Sequence, residues 1–148
     1  MRYHACAVNL KVNTRIVVKL IAVQSQPGVR QVRDLFWWSK GDRVPVLDFL
    51  LGLEGRDLTR VVALLDSVRA QDLPRHNKEK YNKIHGYENL HELKSHHVRL
   101  LFFEEGRRLV FTEAFVKDKR YTEPGYLDRA DCRRKEYLRV SVQEERNK

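Results

Sequence analysis

The spacing of apolar residues in the first half of the main domain predicts one strand and two helices. Residues 32–38 form a short aromatic run closed by Ser-Lys-Gly-Asp, which is typical of a strand and its turn. Pro45 suits the first turn of a helix that ends in the segment from Gly52 to Gly55. A second helix is predicted from Asp57 as its N-cap. Its apolar stripe, with Arg69 outside it, recurs at i, i+3, i+4 and i+7: Leu58, Val61, Val62, Leu64, Leu65 and Val68.

The next part of the chain predicts a loop and three strands. Residues 74–88 are polar and contain Pro74 and Gly86, so we expect a long loop there. Strand patterns follow at residues 89–95, 98–104 and 108–117, and Glu105-Gly106 predicts a tight hairpin between the last two. Alternation in the third strand predicts that one face carries Leu109, Phe111, Glu113, Phe115 and Lys117.

A last helix completes the predicted fold. Residues 126–143 have helical spacing, and the side chains expected to point inward are Leu127, Ala130, Tyr137 and Leu138. The fold class is therefore α+β, a small antiparallel sheet packed against a helical hairpin and a C-terminal helix.

Positive charge is concentrated near the N-terminus. The chain of 148 residues has a formal net charge of +9, and five of these charges come from residues 1–30, which contain no acid. Residues 24–28 form a linker-like turn. We therefore divide the chain into a basic N-terminal extension, residues 1–28, and a main domain, residues 29–148. The extension is a β-strand or hairpin at residues 5–10 and 15–23, a flexible basic arm, or a segment that the fold does not need.

The cysteines and the apolar runs favour the cytoplasm. Cys6 and Cys132 lie far apart in a chain whose size needs no covalent staple, so we expect no disulfide and a reducing compartment. The apolar run at residues 16–23 is interrupted by Lys19 and is much shorter than the ~20 residues of a membrane span. It also lacks the cleavage site of a signal peptide. We expect a cytoplasmic protein that does not contact a membrane.

Motifs of several enzyme classes are absent or incomplete. The segment His91-Glu-Leu-Lys-Ser-His96 is one residue too long for the metalloprotease motif, whose histidines lie at i and i+4. The chain has neither a Gly-x-Ser-x-Gly motif nor a glycine-rich phosphate loop. We therefore expect no metal and no other cofactor.

Cations and tyrosines cluster around the predicted sheet. A positive balance favours a polyanionic partner, and rings interleaved with Lys and Arg suit single-stranded RNA, whose bases stack on them. The residues in question are Lys83, Lys94, Arg99, Lys117, Lys119 and Arg120, with Tyr81, Tyr87 and Tyr121 near them. Ordinary charged strand ends explain the same composition, so composition alone does not decide between the two.

A series of short motifs across residues 31–140 has the order found in a known family. The pieces are Tyr81-Asn-Lys-Ile-His-Gly86, Leu90-His-Glu-Leu-Lys94, Val98-Arg-Leu-Leu-Phe-Phe103, Phe115-Val-Lys117, Thr122-Glu-Pro124, Ala130 and Tyr137. Together with Trp37 and the helix start at Pro45, they resemble the RelE/HigB superfamily of toxins from type II toxin–antitoxin systems, in its phage-derived HigB-like branch. The resemblance implies a RelE-like α+β fold.

The same resemblance implies a ribosome-dependent mRNA endonuclease, or mRNA interferase, that inhibits translation. Its implied partners are a cognate antitoxin of the helix-turn-helix class, mRNA on the ribosome, and operator DNA only through the antitoxin complex. Cleavage in this family needs no metal, because the 2′-hydroxyl of the RNA attacks the adjacent phosphate. Such a reaction needs a base, an acid and cations that stabilise the charge of the transition state.

The resemblance also implies roles for individual residues. Lys94 and Arg99 are expected to hold the scissile phosphate, and Lys117 matches the first lysine of the family's Phe-x-Lys-Lys strand end. Tyr121 is expected to supply a stacking ring or a proton, and His91 or His96 the general base. Further RNA contacts are expected from Lys83, His96, Lys119 and Arg120. The chain departs from the pattern at Asp118, in place of the second lysine, and at Val98, in place of a tyrosine.

Alternative interpretations remain open. ParE-type toxins with the same fold poison gyrase, although we expect them to lack the basic set. A noncatalytic basic RNA- or DNA-binding module has the charge without the cleavage. Lys94 and Arg99 also have a purely structural explanation, in which Lys94 pairs with Glu92 on its own strand and Arg99 pairs with Glu113 across the hairpin.

Overall fold

The structure is a computed structural model that describes residues 17–118 and 124–146. Its elements are β1 (Val18–Ala22), β2 (Asp34–Lys40), α1 (Pro45–Leu51), α2 (Gly55–Gln71), β3 (Tyr81–Lys83), β4 (His91–Ser95), β5 (Val98–Glu105), β6 (Arg108–Val116) and α3 (Pro124–Arg146). The predicted α+β class is confirmed, and every predicted helix and strand of the main domain is present. No helix in the described part of the chain is long and apolar enough to cross a membrane.

A single sheet of six strands organises the fold, in the order β1-β2-β6-β5-β4-β3. β2 and β6 run parallel to each other, and all other neighbours run antiparallel. Helices α1 and α2 cover one side of the sheet, which we call the hairpin face, and α3 covers the other, which we call the α3 face. β1 and β3 are the two edges.

Apolar packing on the hairpin face forms the main core. Val46 and Leu50 of α1 and Val61, Leu65 and Val68 of α2 are almost fully buried against the sheet. Each such side chain contributes about 1.5–3 kcal/mol when it leaves water. The predicted helix stripe is therefore confirmed at these α2 positions, whereas Val62 is 46% exposed.

A β-bulge in β6 changes which residues face each side. Leu101 pairs with Glu113 and the next residue, Phe102, pairs with Phe111, so Thr112 is an extra residue. An extra residue reverses the alternation that follows it. The predicted single face is therefore wrong: Leu109 and Phe111 pack on the hairpin face, whereas Glu113 and Phe115 lie on the α3 face.

Three helix details also differ from the predictions. Helix α2 begins at Gly55 with Glu54 as its N-cap residue, so Asp57 lies in the first turn, where a carboxylate interacts favourably with the helix dipole. Arg69 is 2% exposed rather than outward, because its guanidinium donates to the Val23 oxygen (2.9 Å). Leu138 on α3 is 38% exposed rather than inward.

The predicted long loop contains a short edge strand. β3 pairs antiparallel with β4, with Tyr81 opposite Leu93 and Lys83 opposite His91. Tyr81 is buried in the core, and this anchor holds the strand in place. Residues 74–88 are therefore not one continuous loop.

Part of the basic extension belongs to the sheet. β1 pairs antiparallel with β2, and Val18 is buried in a cluster with Trp38 and Tyr137 on the α3 face. Of the alternatives for the extension, the strand is thus the one found at Val18–Ala22. The predicted strand at residues 5–10 lies outside the described residues.

The expectation of two reduced cysteines is wrong for Cys132. This residue is buried on α3 and is disulfide-bonded. The cysteine argument for a reducing compartment therefore no longer holds, and a cytoplasmic location remains a prediction.

Candidate functional site

Three strands bring the predicted phosphate-binding cations to one place. Lys94 on β4 and Arg99 on β5 are directly opposite each other, and Arg99 is opposite Phe115 on β6. Directly opposed residues of antiparallel strands point to the same face of a sheet. Lys117 follows Phe115 by two residues, and its N–H donates to the His97 oxygen (2.7 Å). The three cations therefore form one cluster on the α3 face, beside the β4–β5 turn.

Glu92 lies within this cluster and is buried. It precedes Lys94 by two residues on the same face of β4, and it is 3% exposed. Its Oε2 has no hydrogen-bond partner in the structure described. Burial raises the pKa of the Glu92 carboxyl above its usual value, while the charges of Arg99, Lys94 and Lys117 act in the opposite direction. One buried carboxyl thus lies beside three cations.

The cations of the cluster bind main-chain oxygens rather than carboxylates. Lys94 Nζ donates to the Lys78 oxygen (2.9 Å), and Arg99 donates to the oxygens of His96 and Val98. Arg99 Nε is buried and has no hydrogen-bond partner among the described residues. Over residues 17–118 and 124–146, none of Lys94, Arg99 and Lys117 forms an ion pair. These positive charges are therefore available to an anion.

Neither of the two ion pairs that would give Lys94 and Arg99 a purely structural role is present. Glu113 pairs with Arg129 and Arg133 of α3 (3.4 Å to Arg133) instead of Arg99. Lys94 and Glu92 share a face, but the structure forms no ion pair between them in the region that it describes. The predicted pairs Lys94–Glu92 and Arg99–Glu113 are therefore wrong.

An aromatic stack borders the cluster. Tyr126 of α3 stacks on Phe115 with ring centroids 4.1 Å apart and planes inclined by 7°. Phe115 is the cross-strand partner of Arg99, so the start of α3 adjoins the cations. Tyr121, Lys119 and Arg120 lie outside the described residues, and their roles remain predictions.

His91 does not join the cluster. Its side chain lies on the hairpin face, on the opposite side of β4 from Glu92. There it is buried against the rings of Tyr81 and Phe102. The Tyr81 hydroxyl bonds its Nδ1 (2.6 Å), and its Nε2 bonds Asn89 Oδ1 (3.0 Å). Burial lowers the pKa of His91, although Glu104 opposes this. His91 is thus a buried structural group with both ring nitrogens bonded inside the core, and it is not placed to act as the base.

The remaining predicted RNA contacts lie on different sides of the molecule. Lys83, on edge strand β3, is opposite His91 and so belongs to the hairpin face, away from the cations. His96 is exposed in the β4–β5 turn, where its backbone has a φ of 54°, and its carbonyl oxygen binds Arg99. Only His96 of these two adjoins the cluster.

The buried position of Glu92 beside the three cations was not predicted from the sequence. Its signal was the spacing to Lys94, since residues i and i+2 of a strand share a face. Its burial depends on β3, β5 and α3, which only the folded chain brings together.

A cluster of three cations that form no ion pair with any described residue is suited to hold a phosphate group and to stabilise added negative charge on it. In the described part of the chain, no three His, Cys, Asp or Glu side chains are placed so that they could hold a metal ion. The chain matches no protein-family model, and no curated protein is significantly similar to it. Its function must therefore be argued from this cluster.

Proposed function

We propose that the protein is the toxin of a type II toxin–antitoxin system and cleaves mRNA on the ribosome. The observation that carries this proposal is the convergence of Lys94, Arg99 and Lys117, without ion pairs among the described residues, around the buried Glu92. The proposal places the protein in the cytoplasm with mRNA as substrate. A small helix-turn-helix antitoxin is its proposed partner.

The proposed reaction is an internal transesterification. The 2′-oxygen of the RNA attacks the adjacent phosphorus and gives up its proton, a 2′,3′-cyclic phosphate forms, and the bond from phosphorus to the 5′-oxygen breaks. Arg99 and Lys94 would hold the phosphate oxygens and stabilise the extra negative charge of the transition state. The leaving 5′-oxygen takes a proton from an ammonium group, Lys94 or Lys117, because a guanidinium does not release its protons. The proposed acceptor of the 2′-proton is His96, which is exposed in the turn beside the cluster.

Glu92 acts as a positioning residue in this proposal. It is too buried to touch RNA, but its charge attracts the cations toward one point of the sheet. Burial of a carboxylate without a complete set of partners destabilises the fold. Such a cost is typical of groups that serve a site rather than the fold.

The test combines growth with mapping of cut mRNA. Expression without the antitoxin should stop growth, and 5′-end mapping of ribosome-bound mRNA should show new ends within reading frames. Lys94→Ala and Arg99→Ala should each relieve the arrest while the protein remains folded. Lys19→Ala removes one exposed cation from β1, at the opposite edge of the sheet, and should remain toxic.

Each result supports or contradicts the proposal. Full toxicity in both variants would exclude the cation cluster as the site. RNA binding without cut mRNA and without growth arrest would favour the noncatalytic module instead. Growth arrest with gyrase-linked DNA breaks and intact mRNA would favour a ParE-type toxin.

A further inference from the structure

A groove runs along the β3 edge of the sheet, next to the cation cluster. It has a volume of 480 Å³ and lies between one side of α2 and the chain around β3 and β4. Arg60, Ala63, Leu64 and Ser67 line it from α2, at the i, i+3, i+4 and i+7 spacing of one helical stripe. The small side chains of Ala63 and Ser67 leave room for a ligand. The opposite wall is formed by Glu79, Lys80, Lys94, Ser95 and His96.

The cations at this groove are not among the ten that form ion pairs in the described part of the chain. Arg33, Arg69, Arg75, Arg107, Arg108, Arg129, Arg133 and Arg134, with Lys40 and Lys135, all form ion pairs. Arg60, Lys78 and Lys80 are exposed, and none forms an ion pair over residues 17–118 and 124–146. Among the described residues, no ion pair neutralises Arg60 or Lys80, and Glu79 is the acidic residue of the lining.

Lys94 connects this groove to the cluster on the α3 face. Its N–H donates to the Lys80 oxygen (2.8 Å), and its Nζ donates to the Lys78 oxygen (2.9 Å). The same residue is opposite Arg99. Lys94 thus belongs both to the cation cluster and to the lining of the groove, where Arg60 and Lys80 are the other two cations.

We propose that the groove between α2 and β3 binds single-stranded RNA next to the scissile phosphate, with Arg60 and Lys80 contacting successive phosphates. This inference rests on the proposed function, because that function places the scissile phosphate at Lys94 and Arg99. Flanking phosphates of the same strand then have to leave the cluster along a surface that attracts them. Ser67, Ser95 and His96 offer polar groups to the sugar and base edges.

A single RNA strand fits the groove better than an acidic peptide. Lys94 belongs to both the cluster and the lining of the groove, so a strand whose phosphate is held at Lys94 has its next phosphates near the groove cations. An acidic peptide accounts for Arg60 and Lys80 but gives no reason for a lining residue that is shared with the cluster. The peptide remains an outcome of the test.

The test compares two double variants of the whole protein by filter binding. The probe is a twelve-nucleotide single-stranded RNA with 2′-O-methyl groups, which prevent attack by the 2′-oxygen. Arg60→Ala with Lys80→Ala should weaken binding about tenfold and lower the slope of log K against log salt by about 1.4, because each lost phosphate contact lowers the slope by about 0.7. Lys19→Ala with Arg30→Ala removes two exposed cations near the other edge and should leave both values unchanged. Circular dichroism checks that both variants are folded.

The outcomes separate this inference from the proposed function. If the wild type cuts mRNA on ribosomes and the Arg60 and Lys80 variant binds the probe as the wild type does, the groove is overturned and the function stands. If the groove variant loses binding but the wild type cuts no mRNA, the groove stands and the function fails. Loss of binding to a poly-glutamate peptide, with unchanged RNA binding, would assign the groove to an acidic partner and overturn the inference. A wild type that binds no probe also overturns it.

Discussion

Replacement of Glu92 by glutamine should stabilise the protein while it reduces activity. Glu92→Gln keeps the size of the side chain and removes the buried charge beside Lys94, Arg99 and Lys117. A carboxyl whose pKa is raised in the folded state binds its proton more tightly there than in the unfolded chain. Its contribution to stability therefore falls as the pH rises from the usual value of 4.5 through the raised value. Above the raised value the wild type carries this cost, and the variant does not.

The size of the effect follows from the difference in desolvation between a carboxylate and an amide of the same shape. Either group leaves one buried atom without a partner, but the penalty of about 1–3 kcal/mol for a neutral group is larger for a charged one, and the three nearby cations offset part of the excess. We expect a net gain of about 1 kcal/mol. For a chain of this length, that gain raises the midpoint of thermal unfolding by about 2–4 °C. Without the carboxylate, the three cations repel one another and hold the phosphate less well, so we expect mRNA cleavage to fall about tenfold, or about 1.4 kcal/mol.

Thermal unfolding at several pH values and cleavage on purified ribosomes measure the two effects. The unfolding midpoint of the variant should exceed that of the wild type at pH 7, and the difference should shrink toward pH 4. Wild-type cleavage should decline on the acid side as Glu92 gains its proton, whereas the lower rate of the variant should not share that decline. A lower unfolding midpoint together with full cleavage would refute the role that we give to Glu92.

Two further predictions concern the core of the hairpin face. His91 has a lowered pKa, so the stability that depends on its neutral form is lost as the pH falls from its usual 6.5 toward the lowered value. His91→Gln should flatten this part of the profile of unfolding midpoint against pH. An unchanged slope would contradict the structural role that we give to His91. Phe102 is fully buried and packs on His91 and Phe111 with centroids 5.2 and 5.3 Å away. Phe102→Ala should destabilise the fold by about 3–5 kcal/mol, seen as a lower urea midpoint, and a loss below about 1 kcal/mol would show that the core there is loosely packed.

The elements of the main domain follow from local patterns, but several features of the site do not. Helix α1 and strands β4 to β6 lie close to their predicted positions because apolar spacing, Pro45 and the Glu105-Gly106 turn act over a few residues. The extra residue at Thr112 has no local signal such as glycine, and both faces of β6 are buried, so the apolar pattern does not reveal where the alternation changes. Simple alternation predicts Phe115 and Leu109 on one face, but the bulge places them on opposite faces of the sheet.

The candidate site was predictable in part. The order of motifs predicts three phosphate-binding cations, Lys94, Arg99 and Lys117. The register of β4, β5 and β6 brings these residues together. His91 was misassigned because a strand alternates its faces, so His91 and Glu92 must point in opposite directions. Arg60 and Lys80 line the same groove but are distant in sequence, so local spacing does not predict that they lie near each other.

The central claim is that the cations around Glu92 cut RNA on the ribosome. Mapping of 5′ ends on ribosome-bound reporter mRNA tests it most directly, with wild type, Lys94→Ala combined with Arg99→Ala, and Lys19→Ala. We predict new ends within the reading frame for the wild type and for Lys19→Ala, and none for the double variant. The same ends in all three, or in none, would contradict the account.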